Sequence, residues 1–218
     1  KIMYRKHGWT FPDYDTHFAH MFDKNISKGG KPVYQEPVRR KSFEFVAHKG
    51  LALDIGANIG LWTRDMAKQF QRVIAFEPVA DFRECLRENV DMSQVAIRDY
   101  ALGNENTTID MVITPDNTGH SHVNTDTMGN GQIHMYRLDS LEFQKIDYIK
   151  IDCEGYEYNI LLGAEQTIKE YKPVMVVEQK LHKDTGITED TQYESVELLK
   201  SWGARELSRV RNDVILGF

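Results

Sequence analysis

The chain has 218 residues, 41% of them hydrophobic and 28% charged, with a formal net charge of −6 at pH 7. That length suits one α/β domain with a full core and some elaboration. No apolar run approaches a membrane span, and the acidic balance argues against general nucleic-acid binding, which needs a concentrated basic face.

Charge is unevenly spread: residues 1–49 carry ten Lys/Arg against five Asp/Glu, and residues 50–218 carry seventeen against twenty-eight. The basic head either guides an anionic substrate or lies over the acidic body, and the second is the expectation. The head starts at Lys1, so an upstream stretch is expected. Phe11-Pro-Asp-Tyr-Asp-Thr-His17 and Lys31-Pro-Val-Tyr34-Gln35 read as turns and short helices. They are expected to cover the crevice at the carboxyl ends of a parallel sheet. His17 and His20, at helical spacing, read as a polar helix face.

From residue 50 short apolar runs alternate with helical periods, the pattern of a parallel sheet. Strands are predicted at 50–55, 72–77 and 94–99. The helices between them bury Trp62, Met66 and Phe70, then Phe82, Leu86 and Val90. Residues 107–114 and 132–138 alternate with period two and read as an inserted antiparallel pair. The parallel pattern resumes at Ile146–Asp152, followed by one helix through Ile160, Leu161, Ala164, Ile168 and Tyr171. Lys172-Pro173 ends it, and Val174–Glu178 is the fifth parallel strand. A helix through Val196, Leu199 and Trp202 precedes a closing pair near 204–210 and 213–218. Cys85 and Cys153 read as buried thiols, and with no signal-peptide core at the start the expected compartment is a reducing cytoplasm.

The most informative stretch is Asp54-Ile-Gly-Ala-Asn-Ile-Gly60 followed by Phe76-Glu77-Pro78. Strand, glycine turn, helix, strand and acid form a nucleotide-cofactor cradle, with Glu77 placed to accept ribose hydroxyls. Asn58 stands where a dinucleotide loop has its second glycine, and the Asp54 carboxylate precedes the turn. Negative charge there favours a cationic ligand over a pyrophosphate, and S-adenosylmethionine fits.

Two motif groups resemble the FkbM-type family of class I methyltransferases. The first is Leu53–Gly60 with Phe76-Glu77-Pro78. The second is Ile149-Lys150-Ile-Asp152-Cys-Glu154-Gly155-Tyr-Glu157, with Leu138-Asp139-Ser-Leu141 before it and Leu162-Gly163-Ala164 and Pro173–Glu178 after it. The resemblance runs from about residue 50 to the end. It implies a Rossmann-like, seven-stranded, mostly parallel sheet over 50–218 with an inserted hairpin, residues 1–49 being an N-terminal extension. Pieces of that extension resemble variants carried by bacterial viruses, a phage-like feature. The implied activity is S-adenosylmethionine-dependent methylation, with O-methylation of a hydroxyl on a small-molecule or glycan-like acceptor expected.

The expected cofactor contacts follow. Asp54, Gly56, Ala57, Asn58, Gly60, Leu61 and Trp62 come from the loop, and Glu77 and Pro78 from the ribose side. Tyr100 and Ala101 border the adenine, with Asp99 a candidate for its amino group. Tyr34, Ser121 and Asp152 complete the set. Asp152 is also the first candidate for accepting a hydroxyl proton, with His120, His122 and Glu178 as further catalytic candidates. Lys150 is expected to pair with an acid in the crevice. Glu154 and Glu157 follow Asp152 too closely to share one role with it, and acids opening a helix suit its dipole. A divalent metal on Asp152, Glu178 and a loop histidine is the sharper alternative. No compact ligand spacing favours it. Two readings from other classes stand beside the methyltransferase: a nicotinamide oxidoreductase on the same sheet, and a non-catalytic cofactor-binding partner subunit.

Overall fold

The structure is a computed structural model that describes residues 3–112, 122–123, 132–181 and 191–218. It opens with an antiparallel hairpin, β1 (Met3–Lys6) and β2 (Trp9–Pro12). The connecting His7 and Gly8 both have positive φ, 53° and 78°, as a two-residue hairpin turn requires. The sequence reading missed this hairpin, because four-residue strands are too short to display a period. Trp9 and Phe11 of β2 are buried with Phe18 and Phe22 of α1 (His17–Ser27), and this cluster continues into Phe82 and Cys85. His17 and His20 lie exposed on α1. A second short helix, α2 (Glu36–Phe43), follows.

The alternating region begins with β3 (Leu51–Ile55), α3 (Thr63–Gln69), β4 (Arg72–Phe76), α4 (Ala80–Asn89) and β5 (Val95–Arg98). Next come β6 (Ala101–Leu102), β7 (Thr107–Val112), β8 (His122–Val123) and β9 (Gln132–Tyr136). The expected antiparallel pair is β7 and β9, and it belongs to a four-stranded sheet of order β6-β9-β7-β8. A 3₁₀ turn (Leu138–Ser140) leads to β10 (Tyr148–Ile151), α5 (Glu157–Leu162), α6 (Glu165–Tyr171), β11 (Val174–Glu178), α7 (Glu194–Ser201), β12 (Arg205–Val210) and β13 (Asp213–Gly217).

The main sheet has seven strands in the order β12-β13-β11-β10-β3-β4-β5. The five central and edge strands β11, β10, β3, β4 and β5 are parallel, and β13 runs antiparallel to both β11 and β12. Its two faces carry two cores: Leu53, Ile55, Ile149, Ile151 and Val177 on one, Ala52, Val73, Tyr148, Val176 and Ile215 on the other. Asp54 and Lys150 are register partners on β3 and β10. Among the described residues no helix is long and apolar enough to cross a membrane.

One expectation needs correction: the helix after β10 is two helices, broken at Gly163-Ala164. The Gly163 carbonyl accepts the Asp139 amide (2.9 Å), and the Asp139 carboxylate accepts the amides of Gln166 (3.2 Å) and Thr167 (2.9 Å). Asp139 thereby supplies acceptors to the first turn of α6. A Cβ on Gly163 would stand 1.9 Å from the Gly103 carbonyl oxygen, so the break is also where two backbones meet.

Candidate active site

At the carboxyl ends of β3, β4 and β10 the strand order switches direction, with β10 on one side of β3 and β4 on the other. Open α/β sheets bind ligands at such a point. The loop leaving β3 holds three residues in the left-handed region, Gly56 (φ 82°), Asn58 (52°) and Gly60 (94°). A Cβ on Gly56 would lie 2.0 Å from the Asp152 carbonyl oxygen, so only glycine lets the loop pass the end of β10. The Gly56 and Ala57 amides both donate to the Phe76 carbonyl at 3.1 Å. The Asn58 amide donates to Glu77 Oε2 at 2.8 Å, and Glu77 Oε1 accepts the Val79 amide at 3.0 Å. The Glu77 carboxylate is therefore held by backbone amides. Burial pushes its pKa up to about 7 against the pull of those two amides.

A cavity of about 830 Å³ opens above this loop. Gly56, Ala57, Asn58, Leu61 and Trp62 line it from the loop, Glu77 and Pro78 from β4, and Tyr100, Ala101 and Leu102 from beyond β5. Asp152, Cys153 and Glu154 close the β10 side, and Phe18 and Tyr34 of the N-terminal region reach in as well. The Tyr100 ring packs edge-on to Phe76 and Tyr136, giving that end aromatic walls. Asp99, the candidate for an adenine amino group, is exposed and is not among the residues lining the cavity.

Two loop residues act behind the cavity rather than in it. Asp54, expected to face a cationic ligand, is wholly buried: Lys150 Nζ donates to its Oδ1 at 3.0 Å and Thr63 Oγ1 to its Oδ2 at 2.6 Å. The partner ammonium cancels the charge on which that expectation rested. Gly60 makes room for α4, since a Cβ there would stand 2.7 Å from Leu86 Cδ1 and 3.0 Å from Val90 Cγ1. Lys150 also donates to the Gly56 carbonyl at 3.0 Å, fastening the loop to β10. Burial works to lower the Lys150 pKa, but Asp54 and Asp152 outweigh it and hold it raised. Asn58 spends its side-chain oxygen on the next amide in the loop, that of Ile59, at 2.7 Å.

The other end of the cavity is acidic. Asp152, Glu154 and Glu178 each place a carboxylate oxygen within 4.8 Å of the others. Glu154 joins because it takes φ 48° and Gly155 takes φ 95°, a left-handed turn that folds the chain back after β10. Sequence spacing argued against that sharing, and Gly155 was the overlooked signal of the turn. Glu157 has a different partner, accepting the Cys153 amide at 2.9 Å. Asp213 was missed altogether. It opens β13 opposite Glu178 of β11, so the antiparallel closing strand delivers another acid to the same end. Burial, then Asp152 and Glu178, raise Glu154 to about 9 and Asp213 to about 7, with Asp152 ahead of Glu178 in each. Burial first, and then these acids, also raise the Tyr34 phenol, which stays a neutral donor. Gln35 ties the region together: Trp62 Nε1 donates to its Oε1 at 2.8 Å, and its Nε2 donates to Asp213 at 3.4 Å. His120 and Ser121 lie outside the described residues, and His122 is described only as a backbone position in β8.

The residues present fit S-adenosylmethionine in chemistry: an acceptor carboxylate for a ribose, aromatic and aliphatic walls for a base, and a glycine loop with no Cβ between them. Residues 54–205 match the family model of the methyltransferase FkbM domain. Comparison with curated proteins gave no match. Among solved structures the chain is similar to a methyltransferase FkbM from Methylobacillus flagellatus KT, at 20% identity over 78% of this chain and 43% of that one, TM-score 0.49. The chain thus spans less than half the length of that protein. It is also similar to a protein from Streptococcus mutans described as a methyltransferase and solved with SAH, at 11% identity over 85% of this chain and 99% of that one, TM-score 0.50. A precorrin-6y C5,15-methyltransferase from Geobacter metallireducens GS-15 is 15% identical over 85% of this chain and 90% of that one, TM-score 0.47. At such identities the likeness to the Streptococcus mutans protein is one of fold.

Proposed function

The chain belongs to the methyltransferase FkbM domain family of S-adenosylmethionine-dependent methyltransferases, and from that premise we propose that it methylates a hydroxyl of a small or glycan-like acceptor. The observation that carries the hydroxyl is the cluster of Asp152, Glu154 and Glu178 beside the glycine loop. An alcohol needs help losing its proton during displacement, whereas a neutral amine nucleophile attacks through its lone pair. Burial, and then the charge of Asp152 and Glu178, raises the proton affinity of Glu154, so this end of the cavity is suited to accept that proton.

S-adenosylmethionine, when bound, supplies a sulfonium carbon open to displacement. The chain's own residues do the rest. Glu77 accepts the ribose hydroxyls, while Tyr100 to Leu102 and Phe76 cover the base. Gly56 and Ala57 allow close approach of the methionine part. Asp152 holds the acceptor hydroxyl and takes its proton, which the neighbouring carboxylates of Glu154 and Glu178 are close enough to share. Tyr34 covers the cavity from the N-terminal extension and helps exclude water. A net charge of −6 supports a small-molecule acceptor over a nucleic acid, and two free thiols, Cys85 and Cys153, suit a reducing cytoplasm.

The spacing of the three carboxylate oxygens favours a second reading, in which a divalent cation sits among them and orients the hydroxyl. Turnover on a panel of hydroxyl and amine acceptors, followed through S-adenosylhomocysteine formation, tests the proposal. Methylation confined to amines would overturn it, and no binding of S-adenosylhomocysteine by calorimetry would remove the donor itself.

A further inference from the structure

Beside the cofactor cavity lies a second groove of about 1100 Å³, between the end of α1, the loop into α2 and the turn joining β12 to β13. We infer that this groove holds the acceptor by an anionic group, so that the acceptor is phosphorylated or carboxylated. The inference rests on the methyltransferase reading for what happens at the other end of the acceptor.

Three cations line the groove, Lys28, Lys31 and Arg211. All three are exposed, and none forms an ion pair among the described residues. Other cations of the N-terminal region do find carboxylates: Lys6 meets Asp23 at 2.6 Å and Arg39 meets Asp65 at 2.8 Å. Lys28 and Lys31 therefore depart from the expectation that the basic head simply lies over the acidic body. The lining carries two acids against these three cations. Glu36 lies 3.8 Å from Arg40, and Asp213 accepts from Gln35. A groove with three uncommitted cations, in a chain of net charge −6, concentrates a field that attracts anions at short range.

The groove borders the cofactor cavity. Tyr34 lines both it and the cofactor cavity. Asp213 lines the groove while standing opposite Glu178 in register. An acceptor spanning the two spaces sets its anion on Lys28, Lys31 and Arg211 and its hydroxyl at Asp152. Acids at one end and cations at the other dictate which end of a singly charged acceptor enters first. Met21, Val33, Val38 and Val210 add apolar lining to the groove.

The test uses the whole chain saturated with S-adenosylhomocysteine and three probes: glucose 6-phosphate, glucuronate and glucose, measured by calorimetry and ligand-observed NMR at low and high salt. The anionic sugars are expected to bind at least about tenfold tighter than glucose, with the preference fading in salt. The phosphate and carboxylate arms then separate the two acceptor chemistries. Lys28→Glu/Lys31→Glu, both exposed and outside any strand, removes the preference and leaves S-adenosylhomocysteine affinity unchanged. Adding Arg211→Glu deepens the loss. Equal binding of glucose and the anions, or anion binding indifferent to charge reversal, overturns the inference. Anion binding in a chain that fails to bind S-adenosylhomocysteine would leave the groove standing and remove the donor reading instead.

Discussion

Lys150 Nζ stands 3.0 Å from Asp54 Oδ1 across register-paired strands, and both side chains are almost wholly out of solvent, 5% and 0% exposed. The pair anchors the glycine loop from beneath, because the same ammonium also donates to the Gly56 carbonyl. Removing one partner strands the other as a buried charge. Lys150→Met is therefore expected to cost about 3–5 kcal/mol in urea unfolding. Asp54→Asn/Lys150→Met should recover part of that loss, since no uncompensated charge remains. A double variant as unstable as the sum of the singles would mean that the two groups do not act as a pair.

Glu77 makes a prediction about pH. Its pKa is raised to about 7 by burial, and a ribose diol needs the ionised, acceptor-only form. Affinity for S-adenosylhomocysteine should therefore rise with pH up to about 7 and level off above it. Stability of the ligand-free protein runs the other way. The folded state keeps a proton that the unfolded chain releases near 4.5, so stability present below that pH is lost as pH rises through about 7. Glu77→Gln abolishes the pH dependence of binding and weakens it roughly 100-fold, as expected for loss of charge-assisted hydrogen bonds worth about 1.5–3 kcal/mol each. Calorimetry across pH 5 to 8, in roughly unit steps, reads both effects.

How much of this was legible in the sequence depends on the range of the interaction. The order of strands and helices followed from apolar periodicity, which each segment carries in itself. Glu77 and the glycine loop followed from a local motif. Asp54 was read as a free negative charge because its partner lies 96 positions away, and only the register of β3 with β10 brings Lys150 beside it. Asp213 was invisible for the same reason. Glu154 was a different failure: it sits two residues from Asp152, and in the helix expected there two such positions face opposite sides. The left-handed turn at Glu154-Gly155 reversed that. The break between α5 and α6 likewise depends on Asp139, a distant residue whose carboxylate competes for the helix amides.

The acid cluster predicts an unusual activity profile. A proton acceptor works deprotonated, and Glu154 and Asp213 are held at about 9 and about 7. The rising limb of kcat should therefore lie above the ordinary carboxylate range, as a property of the cluster rather than of one residue. An isolated carboxylate would place it near 4. Asp152→Asn should lower kcat by about 100-fold or more while moving S-adenosylhomocysteine affinity less than about threefold. A divalent ion in the cluster would displace the shared proton and carry the limb to lower pH. The expected result is the same limb in chelator and in added manganese. A limb that moves with manganese, together with activity lost in chelator, would transfer the role to a metal.

Two glycines with nearly the same backbone separate strain from contact. Gly8 and Gly56 have φ of 78° and 82°. A Cβ at Gly8 would meet nothing within 4 Å, whereas one at Gly56 would lie 2.0 Å from the Asp152 carbonyl oxygen and 2.9 Å from Cys153 Sγ. Gly8→Ala should then cost only the left-handed penalty, about 1–2 kcal/mol. Gly56→Ala adds a backbone clash that neither strand end can relieve cheaply, because the Asp152 amide is tied to the Ile55 carbonyl at 3.1 Å and the Gly56 amide to Phe76 at 3.1 Å. The loss should exceed that of Gly8→Ala by about 2 kcal/mol or more, within the range for overpacking. Because the clash pushes Asp152 away from the loop, kcat should fall further than stability alone explains. Urea unfolding and turnover at saturating donor, compared between the two variants, decide it: matching losses would mean that the close approach of loop and β10 is not what selects glycine here.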